Sequence, residues 1–119
     1  MEMPGKLHTV VETPPYIRQS NALLTRAQRA EVIDMIAADS RCGALQAGTG
    51  GCRKVRYAGK SGRGKSGGAR VVYFYRNEAL PIFLFAVFGK GEKSNISKAE
   101  KNALRKLTAE IVKTYGLRK

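Results

Sequence analysis

From Ser40 to Asn77 this chain has no acidic side chain, although the same thirty-eight residues hold nine basic ones. These are Arg41, Arg53, Lys54, Arg56, Lys60, Arg63, Lys65, Arg70 and Arg76. Nothing within the stretch can neutralise them, and one-sided charge on this scale makes an electropositive surface whose natural counter-ion is a polyphosphate backbone. Histidine and cysteine are nearly as scarce: His8, Cys42 and Cys52 are the only representatives. Three such residues cannot complete a four-ligand zinc site from Cys and His alone, and two thiols make no disulfide framework, so both cysteines read as structural. Long apolar runs are missing as well. The longest, Leu80 to Phe88, is about half of the roughly twenty residues a membrane span needs. Met1 to Lys6 contains Glu2 and Pro4 and no apolar core, which argues against a signal peptide and for a cytoplasmic chain. No internal repeat is apparent.

What is present fits a single domain spanning residues 1–119. A chain of 119 residues and 13.0 kDa can bury about two-thirds of the surface its unfolded form exposes. Lys and Arg number 22 against 9 Asp and Glu, a net charge of +13, which favours nucleic acid over a neutral soluble partner.

Leu7 to Glu12, rich in Val and Thr, reads as a short opening strand. Thr13-Pro14 is a helix start, because proline at the first helical position loses no needed hydrogen bond, and the helix to about Leu23 spaces Tyr16, Ile17, Ser20, Leu23 and Leu24 on one side. Thr25 and Gln28 fit a capping box, with Ala30, Ile33, Ile36 and Ala37 at helical spacing after it, so a second helix should reach about Asp39 and form a hairpin with the first. Gly48, Gly50 and Gly51 break that pattern. Cys52 to Ala58 then alternates, with Lys54 and Arg56 on one face and Val55 and Tyr57 on the other. Ala69 to Arg76 is a β-branched and aromatic strand, and Leu80 to Phe88 suits a central strand covered on both faces. Ser97 and Glu100 form another capping box, opening a helix whose apolar stripe is Ala103, Leu104, Leu107, Ile111 and Tyr115. This order predicts an α+β fold: an antiparallel twisted sheet with helices on one face, an N-terminal helical hairpin and a C-terminal helix. Tyr57, Tyr73 and Tyr75 are expected to pack within it rather than to stack on bases.

Gly59 to Ser66 satisfies the P-loop pattern letter by letter. A P-loop binds phosphate by running straight into a helix whose N-terminal amides face the anion, whereas Gly67-Gly68 leads into a strand. No aspartate follows an apolar strand to hold magnesium either, so a nucleotide hydrolase is rejected and a basic hairpin loop is expected.

Lys54 and Arg56 on one strand, Arg70 at the start of the next, and Lys90 and Lys93 beyond the third converge if the three strands pair as hairpins. Cleaving RNA through its own 2′-hydroxyl needs a base for that proton, positive charge on the phosphate and a proton donor for the leaving 5′ oxygen. Arginine and lysine supply the charge. The other two roles usually fall to His or a carboxylate, and only His8 and Glu92 are on offer. A lysine serves as base only when crowded by other positive charge, as Lys54 would be beside Arg56 and Arg70. Two functions are compatible with these residues, an RNA-cleaving enzyme and a binding module without catalysis; a third, an inhibitor of a protein target such as DNA gyrase, is one against which Lys54, Arg56 and Arg70 together argue.

The run GGCRKVRYAGKSGRGKSGGARVVYFY from Gly50, then LPIFLFAVFGKGEKSNIS and a terminal helix, resembles the RelE/HigB family of toxins from type II toxin-antitoxin systems, especially its HigB-like branch. The most specific pieces are Gly50-Gly51 before Arg53-Lys54-Val55-Arg56, the Gly67 to Tyr73 stretch, and Lys90-Gly91-Glu92-Lys93 followed by Ser97 and Glu100. The resemblance implies a microbial-ribonuclease-like sheet and a metal-independent, cofactor-free endoribonuclease that cuts mRNA on the ribosome and is silenced by a cognate, HigA-like antitoxin. It places Lys54 and Arg56 as the basic pair of the first catalytic strand, Arg70 as the phosphate-stabilising arginine, and Lys90 and Lys93 as the basic residues of the exit loop. Arg53, Lys60, Arg63, Lys65 and Arg76 are then candidate RNA contacts. The chain departs from the RelE branch in having Gly91 where an arginine is usual and no tyrosine between Tyr75 and Tyr115, which leaves Lys90 or Lys93 as candidate proton donor.

Overall fold

The computed structural model describes residues 8–58, 68–89 and 95–116. Their order is β1 (Val10–Glu12), α1 (Pro14–Leu23), α2 (Arg26–Ala38), β2 (Ala44–Leu45), β3 (Cys52–Tyr57), β4 (Ala69–Phe74), β5 (Ile82–Gly89) and α3 (Lys98–Gly116). The strands form one sheet in the order β1-β5-β4-β3-β2. The fold is α+β, as the sequence predicts, with three differences in detail.

First, the sheet is mixed. β1 runs parallel to β5, while the β5-β4, β4-β3 and β3-β2 pairs are antiparallel. Thr13 fixes the junction of β1 and α1 by donating from both its backbone N–H (3.2 Å) and its hydroxyl (2.8 Å) to the Leu84 carbonyl oxygen. From that anchor the α1–α2 hairpin carries the chain to the opposite edge of the sheet, so β1 is free of any hairpin turn that would impose antiparallel pairing. Second, β2 is an additional two-residue edge strand, too short to register as alternation in the sequence. Third, helices cover both faces. β4 and β5 carry apolar side chains on each side of the sheet, and one helical layer cannot remove both sets from water. Tyr16, Val32 and Ile36 of the hairpin pack on Val71, Tyr73, Ile82 and Leu84. On the other face α3 lays Leu104, Ile111, Val112 and Tyr115 against Cys52, Val72, Phe74 and Phe85.

Both expected capping boxes form. Thr25 Oγ1 accepts the Gln28 N–H while Gln28 Oε1 accepts the Thr25 N–H, and Ser97 and Glu100 exchange the same two bonds at the start of α3. The buried stripes are narrower than the sequence pattern. In α1 Tyr16 and Ser20 are buried but Ile17 and Leu23 face solvent, and in α3 Leu107 is exposed while Thr108 is buried in its stead. Thr108 goes inside because its hydroxyl donates to the Thr49 carbonyl oxygen (3.1 Å), which ties α3 to the turn before β3. Gly50 sits in that turn at φ +79, and a Cβ there would collide with Thr108 Oγ1, so the close approach requires glycine.

Tyr73 is the polar centre of the hairpin-side core. Its hydroxyl donates to the Ser40 carbonyl oxygen and accepts the Gly43 N–H, both at 2.9 Å. Tyr16 is equally buried, yet its hydroxyl has no partner among the described residues. Burial pushes the Tyr16 hydroxyl up from 10.0 to about 12, with Glu12 adding to the effect. Burial also raises Tyr73.

Urea unfolding of two variants should therefore diverge. Tyr73→Phe strands a buried N–H and is expected to cost about 1–3 kcal/mol, whereas Tyr16→Phe removes a group that was never satisfied and should be neutral or stabilising. Because the folded-state pKa of Tyr16 lies above the unfolded one, its contribution is whole below pH 10 and is lost as the pH climbs toward 12. Relative to Tyr16→Phe, the parent chain should lose about 2 kcal/mol more between those limits.

Candidate functional site

The antiparallel register of β3 on β4 sets Lys54 against Val72 and Arg56 against Arg70. Strand alternation then puts Lys54, Arg56, Arg70, Val72 and Cys52 on the α3 side of the sheet. On β5 the residue opposite Arg70 is Phe88. Three cations thus share one face at one end of the sheet, beyond the apolar contacts of α3. Arg56 and Arg70 are direct cross-strand partners, an arrangement of like charges that costs stability. A group that offsets such repulsion is an anion.

The detailed contacts sharpen this. Lys54 Nζ donates to Asn95 Oδ1 at 3.4 Å, which ties β3 to the segment entering α3. Arg70 is half-buried, and its Nη1 is shielded from solvent with no hydrogen-bond partner among the described residues. A buried charged donor left unmatched is expensive, and on a face shared with two other cations its natural partner is an anionic oxygen such as a phosphate's.

The Tyr57–Ala69 pairing closes the β3–β4 hairpin. Gly68 at φ +78 permits that closure, since a Cβ there would collide with the Tyr57 carbonyl oxygen. The P-loop-like stretch therefore connects two neighbouring antiparallel strands and leads into β4, with no helix following it, in agreement with its rejection. Lys60, Arg63 and Lys65 of that connection, and Lys90 and Lys93 after β5, lie outside the described residues. The strand ends from which both segments depart, Tyr57, Ala69 and Gly89, are register neighbours at the cationic end of the sheet.

Two candidate RNA contacts are not brought to this cluster. Arg53 falls on the opposite face by alternation, where its Nη1 donates to the carbonyl oxygens of Gly43 (2.8 Å) and Arg41 (3.4 Å) and holds β3 to the chain entering β2. Arg76 lies past the far end of β4, beside Arg105 and Lys113 of α3. His8 is remote as well. It precedes Val10, which pairs with Ile82 at the start of β5, whereas Arg70 pairs with Phe88, a separation of about 20 Å along the strand. Its Nε2 is 2.8 Å from the Leu80 carbonyl oxygen and its ring meets Tyr75 edge-on at 5.4 Å. Tyr57 and Tyr73 are buried, as packing residues should be, and the Tyr57 hydroxyl donates to Glu31. Buried Cys52, its thiol pushed up to about 12 chiefly by desolvation, has no nucleophilic role. Asn95 is the member of the cluster that sequence reasoning missed; nothing in its local sequence separates it from an ordinary loop asparagine.

Opposite outcomes are expected for the two arginines of β3. Arg56→Ala should lower the slope of log affinity for RNA against log salt by about one, the signature of a lost phosphate contact. Arg53→Ala should leave that slope alone and destabilise the fold by about 0.5–1.5 kcal/mol, because it removes the hydrogen bond to the half-buried Gly43 carbonyl oxygen.

Residues 21–117 match the family model described as the RelE toxin of the RelE / RelB toxin-antitoxin system. Among solved structures, a mutant of the E. coli toxin RelE in the free state superposes with a TM-score of 0.53 at 19% sequence identity, over 92% of this chain and 98% of that one, a likeness of fold. The family match takes in α2, every strand from β2 to β5, and α3, hence all of the cationic cluster. The chain belongs to the RelE toxin family, and is the toxin half of a toxin–antitoxin pair.

Proposed function

We propose that this toxin is an endoribonuclease of the HigB-like branch, acting in the cytoplasm on mRNA held in the ribosome, and that its antitoxin is HigA-like. The observation that carries the reading is the unmatched Nη1 of Arg70 on the same face as Lys54 and Arg56. In this scheme Arg70 and Arg56 grip the scissile phosphate and stabilise the negative charge that develops on its oxygens as the 2′-oxygen attacks. Lys54, steered by Asn95, takes the 2′-hydroxyl proton. Lys90 or Lys93 returns a proton to the departing 5′ oxygen, and Lys60, Arg63 and Lys65 hold the flanking backbone. The protein's own cations supply all the charge stabilisation, so no metal enters the scheme.

Dependence on the ribosome follows from the same inventory. Lysine and arginine are poorly matched to proton transfer at neutral pH, so their catalysis relies on a substrate already held with its 2′-oxygen in line with the phosphorus. Free RNA samples that geometry rarely. A decoding site imposes order on three nucleotides at a time, and the toxin then needs to add only charge and proton traffic.

The test is a translating extract supplied with one mRNA and analysed by primer extension. The native protein should give codon-spaced cuts. Arg70→Ala should reduce them by about 10²-fold or more, and Lys54→Ala should abolish them while RNA binding persists. Intact mRNA with salt-sensitive RNA binding would instead mark a binding module without catalysis. Intact mRNA together with inhibited DNA supercoiling would mark a gyrase inhibitor on the same fold.

A further inference from the structure

A cavity of about 180 Å³ opens between the N-terminal half of α3 and the sheet, next to the cationic cluster. Val72, Phe85, Phe88, Ile96 and Leu104 supply its apolar wall. We propose that this cavity receives one nucleobase of the RNA whose phosphate sits on Arg70, an inference that rests on the RNA reading above.

The two features share a backbone. Phe88 is the β5 partner of Arg70, Val72 is the next β4 residue on the same face and the partner of Lys54, and Ile96 directly follows the asparagine that holds Lys54. Arg70 and Lys54 are thus each one register position from a wall of the cavity. The class of ligand that carries an anion and a flat, largely apolar ring a few ångström apart is a nucleotide. An apolar peptide side chain would fill the cavity but leave the buried Arg70 donor unmatched, and a free phosphate would do the reverse.

The lining also says how the base is read. Its polar side chain is Glu100, whose Oε1 already accepts the Ser97 N–H (2.8 Å) in the capping box of α3. Among the described residues the walls otherwise offer rings and aliphatic carbons, so these hold a base by stacking and fit rather than by reading its hydrogen-bonding edge. Recognition at this position is therefore tolerant of base identity. The carboxylate of Glu100 repels a phosphate from the cavity and keeps the anion on the Arg70 side. Ala103, exposed on α3 yet part of the cavity wall, keeps the entrance open because its side chain ends at Cβ.

The experiment is an amide chemical-shift titration of the full chain with adenosine 3′-monophosphate, uridine 3′-monophosphate and inorganic phosphate, repeated on Ala103→Leu. Leucine is an excellent helix former at an exposed position, so the variant should fold normally while its side chain closes the entrance. All three ligands are expected to move Arg56 and Arg70, and only the two nucleotides to move Ala86, Phe85 and Leu104. Ala103→Leu should weaken nucleotide binding roughly tenfold and leave phosphate binding unchanged. Nucleotide shifts confined to Arg56 and Arg70, or equal nucleotide affinity in the variant, would overturn the base cavity while sparing the phosphate site. Loss of any response at Arg70, with phosphate and nucleotides alike, would overturn the underlying RNA reading as well.

Discussion

The register of β3 on β4 is the constraint on which the rest of the molecule depends. It sets two arginines, Arg56 and Arg70, directly opposite each other with Lys54 two residues away on the same face. A sheet built only for stability would separate those charges, because like charges in cross-strand positions repel. Here the strands are held from both sides instead. Val71 and Tyr73 sink into the hairpin-side core and Val72 and Phe74 into the α3-side core, each almost fully buried. Burying four such side chains stabilises the strand by several kcal/mol, on the order of 1.5–3 for each large apolar group, which outweighs the repulsion.

Polar groups on the hairpin side reinforce that register. Tyr73 fixes the chain around Ser40 and Gly43, and Arg53 binds carbonyl oxygens in the same stretch. Alternation is what divides the labour within four residues of β3: Lys54 and Arg56 face the open end of the sheet while Arg53, between Cys52 and Lys54 in sequence, is drawn into structural bonds. Three cations within four residues do not make three equivalent ligands. The Thr49–Thr108 bond completes the frame by clamping the glycine turn before β3 onto α3, so the N-terminal end of β3 is fixed on both faces of the sheet.

Much of this was legible beforehand, for identifiable reasons. Capping boxes are local and announce helices, so α2 and α3 start where Thr25 and Ser97 predict. Period-two alternation with charge on one side gave the shared face of Lys54 and Arg56, and the pairing with Arg70 followed from a hairpin. Long-range facts were not legible. The parallel β1 depends on a bond from Thr13 to Leu84, seventy-one positions away, and no local pattern encodes it. Ile17 and Leu23 look like core residues by spacing alone, yet the packing of α1 on β5 buries only the Tyr16 and Ser20 edge. Arg53 reads as a phosphate ligand in the sequence because its charge is visible there and its hydrogen-bond acceptors are not. Asn95 escaped notice for the converse reason: its role lies wholly in a side chain forty-one residues away.

A site of this kind couples occupancy to stability. The repulsion between Arg56 and Arg70, and the cost of the unmatched Arg70 donor, are present in the free chain and are relieved by any anion that seats between them. Such a ligand binds the folded state and not the unfolded one, so it stabilises the toxin in proportion to the logarithm of its concentration above its dissociation constant. Substrate and antitoxin then face the same energetics. An antitoxin carboxylate placed at Arg70 gains the charge-assisted hydrogen bonds that a phosphate would have gained, and it also removes the repulsion that strains the β3–β4 pairing. Silencing the toxin by that route needs no distortion of the fold: under the proposed function, the feature that would grip a phosphate is the one an acidic segment can most favourably cover.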